Sequence, residues 1–331
     1  MGSGLTEVNG KSEAYGHIGV VGAGAWGTAL ALVAAEAGRR VTLWAREAEV
    51  VASISATREN MRFLPGIVLP SAITATANMA EAASADAVLV VVPAQHLRET
   101  LIALDPRKPT VLCAKGIERG TGKLLTEVLA ECAAGAEPAI LSGPSFARDV
   151  AQHLPTAVTI AARIDIATAL QSALGHGTFR PYASDDLAGV ALGGAAKNVY
   201  AIGCGIVAGL GLGESARAAL LARSFAELCR LGEAIGARSE TLMGLSGLGD
   251  LVLTATSPTS RNFSYGVATG KGVAHTAALA EGVDTAPALV ARAKRHGVEL
   301  PIAEAIADIL AGKLALQDAI PRLMSRPLKT E

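Results

Sequence analysis

The sequence predicts an α/β fold, a doubly wound parallel sheet, followed by an all-helical second half. Three observations carry the prediction. Short apolar runs recur through the first 184 positions, separated by helix-like stretches. The first of these runs breaks into closely spaced glycines before a helical pattern resumes. From Ser184 onward, β-branched runs give way to long segments with apolar residues at helical spacing. A chain of 331 residues is long for a single core, so two domains are expected, 17–184 and 185–331, behind a disordered leader over residues 1–16.

The opening strand is His17-Ile18-Gly19-Val20-Val21, and a helix follows it to about Ala37, where Gly38 stops it. Gly22, Gly24 and Gly27 between them stand at G-x-G-x-x-G spacing. The first allows a tight turn, the second lets the backbone approach a pyrophosphate, and the third lets the helix pack on the strand. Free N–H groups at the helix start then face the phosphates, a Rossmann-type arrangement in which Ala25 and Trp26 open the helix. The second strand, Arg40 to Arg46, closes a βαβ unit. A plain NAD site carries an acid near this point, whereas Arg46 arrives here first and Glu47 follows. An arginine there pairs with a 2′-phosphate or stacks on adenine, or stands solvated at a helix start. Either NADPH/NADP+ or NADH/NAD+ is compatible, with NADPH favoured.

A polar stretch around Asn60 to Gly66 reads as a loop after a short helix. Further strands are expected at Ile73–Thr76, Ala87–Val92, Thr110–Ala114 and Ala139–Leu141, with weaker ones near 157–161 and 178–182. Ser184-Asp185-Asp186 reads as linker and helix cap. In the helical half, Leu221, Phe225 and Leu228 share one face, as do Ile302, Ile306, Ile309 and Leu310. Pro301 begins that last helix and Gly312 follows its end.

Composition narrows the function. Hydrophobic residues make up 50% of the chain and the net charge is −1, which supports a large core and gives no basic excess for nucleic acid. Aromatics are 3%, too few for base-stacking platforms. Cys113, Cys132, Cys204 and Cys229 lie far apart with no metal-ligand spacing, so buried free thiols, a reducing compartment and no metal are expected. No apolar run of membrane-spanning length escapes interruption by glycine or charge, so the expectation is a cytoplasmic protein without a membrane span.

In open α/β sheets, ligands bind beyond the carboxyl ends of the strands. That rule selects Pro93-Ala94-Gln95, Lys115-Gly116 and Ser142-Gly143-Pro144-Ser145. Lys115 reads as a solvated loop lysine or as a cation that holds an anionic or carbonyl substrate. Lys197 lies in a small, apolar helical stretch, where desolvation makes its neutral form accessible, unless its stem merely snorkels. Asp250, among Gly244, Gly247 and Gly249, caps a helix or pairs with Lys197 and orients it. Thr254, Ser257, Ser260, Arg261 and Asn262 form a polar cluster, and an arginine flanked by hydroxyl and amide groups suits phosphate.

Several of these motifs together resemble a known family. Gly22-Ala23-Gly24-Ala25-Trp26-Gly27-Thr28-Ala29-Leu30, Phe63-Leu64-Pro65, Lys115-Gly116 and Ser142-Gly143-Pro144-Ser145-Phe146-Ala147 lead the series. Lys197-Asn198-Val199-Tyr200-Ala201, Leu248-Gly249-Asp250, Ser260-Arg261-Asn262 and Glu281-Gly282 complete it. In this order they resemble the bacterial biosynthetic type of NAD(P)-dependent glycerol-3-phosphate dehydrogenase. The resemblance implies reversible reduction of dihydroxyacetone phosphate to sn-glycerol 3-phosphate, supplying glycerophospholipid synthesis. It implies Lys197 as proton donor and acceptor, with Lys115 and Asp250 beside it. Gly143 and Ser145 would touch substrate, with Ser260, Arg261 and Asn262 around its phosphate. Trp26, Arg46, Ala147, Leu279 and Glu281 would line the cofactor together with the glycine turn and Lys115, and Arg261 would contact both ligands. His153 and Leu279 depart from the family's usual small residue and valine. A β-hydroxyacid or 6-phosphogluconate type dehydrogenase shares the architecture and the helical lysine, and a non-catalytic nucleotide sensor shares the glycine turn. A homodimer built on the helical half is expected, symmetric dimers being the commonest assembly.

Overall fold

The computed structural model describes residues 15–274 and 280–324. The expected leader thus falls, up to residue 14, outside the described residues. The strands are β1 (His17–Val21), β2 (Arg40–Trp44), β3 (Glu59–Asn60), β4 (Leu64–Val68), β5 (Ile73–Thr76), β6 (Ala87–Val90), β7 (Pro109–Leu112), β8 (Glu137–Ser142), β9 (Thr156–Ala161) and β10 (Phe179–Ser184). Among them run α1 (Ala25–Glu36), α2 (Ala48–Thr57), α3 (Met79–Ala83), α4 (Leu97–Leu104), α5 (Leu125–Cys132), α6 (Ala147–Ala151) and α7 (Ile164–Leu174). The helical half comprises α8 (Leu187–Gly209), α9 (Glu214–Ala234), α10 (Ser239–Met243), α11 (Asp250–Thr256), α12 (Arg261–Gly270), α13 (Glu281–Arg295), α14 (Pro301–Leu310) and α15 (Leu316–Met324).

The main sheet has the order β10-β9-β8-β7-β6-β1-β2-β5. Its direction of winding reverses between β1 and β6, which opens a crevice at their carboxyl ends. One departure from the expected parallel sheet lies at β8 and β9, which pair antiparallel. The link does not run back along the sheet: α6 buries Val150 and Ala151 in the core that also holds α1, and β9 starts beside the end of β8, with Thr159 opposite Ser142. The longer α7 carries it back, and β10 pairs parallel with β9.

The stretch expected as a loop around residues 60–66 follows a helix, α2, as expected, but only 61–63 are a turn, flanked by the antiparallel pair β3–β4. No alternation of apolar residues announced it. Its turn is closed by the Asn60 side chain, which accepts from the Phe63 N–H at 3.1 Å. Both faces of the main sheet are covered, as the continuous apolar runs require. One face packs on α1 and α7, while the other joins Val90, Leu112 and Ile140 to α8 in a single core.

Helix α8 is apolar on all sides because it runs through the middle of the helical half. By length and composition it could cross a membrane, yet its most apolar stretch is 94% buried inside the protein. Glycines bring its neighbours to backbone contact. A Cβ at Gly205 would stand 2.1 Å from the Phe263 carbonyl of α12, and one at Gly266 equally close to that of Ile202. The expected cap is present: the Asp186 side chain accepts from the Gly189 N–H at 2.8 Å. The four cysteines are free, but only Cys113 and Cys204 are buried and the other two are half-buried.

Candidate active site

The carboxyl ends of β1, β2, β6, β7 and β8 share one sheet edge, so topology alone brings Gly22, Arg46, Ala94, Lys115 and Gly143 together. The three glycines of the first turn divide the work as their spacing predicts. Gly22 has φ +115°, and a Cβ there would meet the Val91 carbonyl at 2.6 Å. At Gly27 a Cβ would fall 1.8 Å from the Gly22 carbonyl, so only glycine lets α1 sit this close to the strand. A Cβ on Gly24, by contrast, would meet no atom of the described residues within 4 Å. That open space at the N-terminus of α1 is a cradle a pyrophosphate fits. Ala25, Trp26 and Ala147 lie half-buried against one core, and the indole N–H of Trp26 is buried without a hydrogen-bond partner among the described residues. Arg46 stands largely in solvent, its side chain 77% exposed and bonded to Glu47 at 3.1 Å.

Across the crevice, α8 presents Lys197. Its ammonium donates to Asp250 Oδ1 at 2.7 Å and to Thr254 Oγ1 at 2.7 Å. Lys115, from the end of β7, reaches the other oxygen of the same carboxylate at 2.5 Å and donates to the Gly143 carbonyl at 2.9 Å. One buried carboxylate thus holds two lysines. Asp250 gets there through a wide π-helical turn over Leu245–Gly249, which α8 approaches so closely that a Cβ at Gly193 would stand 2.7 Å from the Ser246 carbonyl.

The electrostatics follow from this geometry. Burial pushes the Lys197 pKa from its ordinary 10.5 down to about 8, with Asp250 opposing the fall and Lys115 adding to it. For Asp250, burial pushes upward but the two lysines prevail and hold its carboxyl below the usual range. Glu281, at the start of α13, is raised by burial against the pull of the Ala94 N–H, which donates to it at 3.3 Å, and of Arg261.

The polar cluster expected over 254–262 divides. Thr254 belongs with Lys197, one turn after Asp250 on the same face of α11, a placement their i, i+4 spacing could have revealed. Ser260 is buried and caps α12, accepting from the Phe263 N–H at 3.2 Å. Arg261 is exposed on the first turn of that helix. Asn262 donates to Asn198 at 2.9 Å and accepts from the Gly282 N–H at 2.9 Å, while Asn198 donates to the Lys115 carbonyl at 2.9 Å. This chain of amides ties α8, α12 and α13 to the end of β7, and Asn198 is a site residue that sequence reasoning passed over. Ser145 bonds the Gly143 carbonyl at 3.0 Å, and Gly143 is itself locked at φ +150° against Val158. Leu279 lies outside the described residues.

Residues 17–167 match the NAD-dependent glycerol-3-phosphate dehydrogenase N-terminus, and residues 186–321 match the corresponding C-terminus. The chain is 58% identical over 329 residues to a glycerol-3-phosphate dehydrogenase (NAD(P)+) of Parvibaculum lavamentivorans, covering 96% of this chain and 99% of that one. It is 61% identical over 320 residues to the enzyme of the same name from a Bradyrhizobium species, with 95% and 98% covered. Among solved structures, glycerol-3-phosphate dehydrogenase from Coxiella burnetii superposes with a TM-score of 0.88 at 37% identity, covering 94% of this chain and 99% of that one. A glycine cradle facing a lysine pair on one buried carboxylate, both halves of the family pattern, and near-complete coverage at this identity agree: the chain belongs to the NAD-dependent glycerol-3-phosphate dehydrogenase family.

Proposed function

We propose that this chain interconverts dihydroxyacetone phosphate and sn-glycerol 3-phosphate with NAD(P)H, and that Lys197 is the general acid and base. The observation that carries the reading is a buried lysine at about pKa 8, oriented by Asp250 and Thr254 at the mouth of a dinucleotide cradle. Bound NAD(P)H supplies the hydride. The protein must then stabilise and protonate the alkoxide that develops on C2 of the substrate. Lys197 does both in its ammonium form, and in its neutral form takes the proton back in the reverse direction. Asp250 holds that ammonium in place and, through its second oxygen, keeps the positive Lys115 beside the same reacting oxygen. Gly143 and Ser145 close the substrate's side of the crevice.

Arg261 and the Ser260 hydroxyl take the substrate phosphate at the N-terminus of α12, where a planar guanidinium pairs two oxygens at once. Asn262 has a second amide hydrogen for it beyond the one given to Asn198. Arg46 reads the 2′ position of the ribose, and Trp26, Ala147 and Glu281 line the cofactor. Residues 17–184 form the cofactor domain and 185–331 the catalytic one, in a cytoplasmic homodimer that feeds phospholipid synthesis. The test is the absorbance of NADPH and, in parallel, NADH on adding dihydroxyacetone phosphate to the purified protein. Rapid oxidation is expected. Folded protein that binds cofactor yet oxidises neither would overturn the substrate assignment.

A further inference from the structure

We infer that Asn60 is a positioning residue for the cofactor's phosphates: it sets the direction of the Gly24 N–H. Asn60 is fully buried and sits at the end of β3, outside the glycine motif. Its amide nitrogen donates to the Ala23 carbonyl at 2.8 Å and to Thr28 Oγ1 at 2.8 Å. Its oxygen accepts from the Phe63 N–H. These partners settle which way the amide points, because a carbonyl only accepts and a backbone N–H only donates.

The consequence lies in the next peptide bond. The Ala23–Gly24 bond is trans, so its carbonyl and its N–H point in opposite directions within the peptide plane. Drawing the Ala23 carbonyl inward aims the Gly24 N–H the opposite way at the start of α1, where a Cβ on Gly24 would meet no described atom within 4 Å. Thr28 adds a long second hold on the same carbonyl at 3.4 Å. The small β3–β4 sheet therefore prepares an anion-binding donor before any ligand arrives, and this role rests on the cofactor reading given above.

The test is Asn60→Ala in the full-length enzyme, assayed below its melting temperature. The KM for NADPH and the inhibition constant of ADP should each rise about tenfold, the worth of one oriented donor to a charged phosphate. The KM for dihydroxyacetone phosphate and kcat at saturating cofactor should stay within about twofold. A merely structural role would lower the melting temperature and the active fraction without separating the two KM values. If Asn60→Ala does not fold, Thr28→Val is assayed in the same way, with a smaller rise in the same two constants expected. Unchanged cofactor KM and ADP inhibition in the folded variant would overturn the positioning role alone. A wild-type protein that oxidises neither NADPH nor NADH and is not inhibited by ADP would overturn the cofactor reading and this role together.

Discussion

Asp250→Asn tests the site most directly, because it removes one charge from between two lysines while keeping size and shape. In the wild type, ketone reduction requires the Lys197 ammonium, so kcat should hold below about pH 8 and fall above it. Alcohol oxidation requires the neutral amine and should show the mirror profile, rising toward pH 8. The drop from 10.5 to about 8 means that the site destabilises the ammonium by ~3 kcal/mol relative to the free side chain, already net of the opposing pull of Asp250. A full charge at 2.7 Å contributes ~6 kcal/mol at an effective dielectric constant of about 20. Asp250 is shared with Lys115, and retaining even a fifth of that figure moves the titration by about one pH unit. The variant's limb should therefore lie about one unit lower in both directions, because burial and the Lys115 charge still act with only the weaker pull of Glu281 to oppose them. The assay is kcat against pH in each direction at saturating ligands, with circular dichroism to establish folding. A folded variant whose limb coincides with the wild type would refute Lys197 as the titrating group or Asp250 as its counter-charge.

Three further outcomes are expected. Lys197→Ala should lower kcat by about 10²- to 10⁴-fold while NADPH titration shows cofactor affinity little changed; full turnover would remove Lys197 from the chemistry. Gly24→Ala should raise the cofactor KM with little change in melting temperature, because its Cβ meets no atom of the described residues, whereas Gly27→Ala should lower the melting temperature as well, because its Cβ collides with the Gly22 carbonyl. Equal melting temperatures for the two variants would contradict this division of labour. Arg46→Ser should raise the KM for NADPH about tenfold and leave that for NADH near its starting value; a parallel change in both would show that Arg46 does not read the 2′-phosphate.

Much of the fold was legible because its signals are local. The buried strands appear as apolar runs, since a sheet covered on both faces asks every residue to be apolar. The glycine turn, the Asp186 cap and Pro301 at the start of α14 are each decided within a few residues. The direction of β9 was not legible, because it depends on where α6 docks in the core beside α1 rather than on any pattern within a few residues. Nor was the β3–β4 pair, which is held by a side chain rather than by a pattern of apolar residues.

By itself, then, the sequence determined where the eight strands of the main sheet lie along the chain and that a helical half follows, the glycine cradle, and which lysines, acid and arginine were candidates for chemistry. Those follow from residue type and spacing along one chain. Only the tertiary structure decided that Lys115 and Lys197 share the two oxygens of Asp250 and that Thr254 joins them. It also decided that Asn60 braces a turn 37 residues away. Lys115 and Asp250 stand 135 residues apart. Their meeting depends on how closely glycine-lined helices pack, and the pKa of Lys197 depends on the burial that this packing creates.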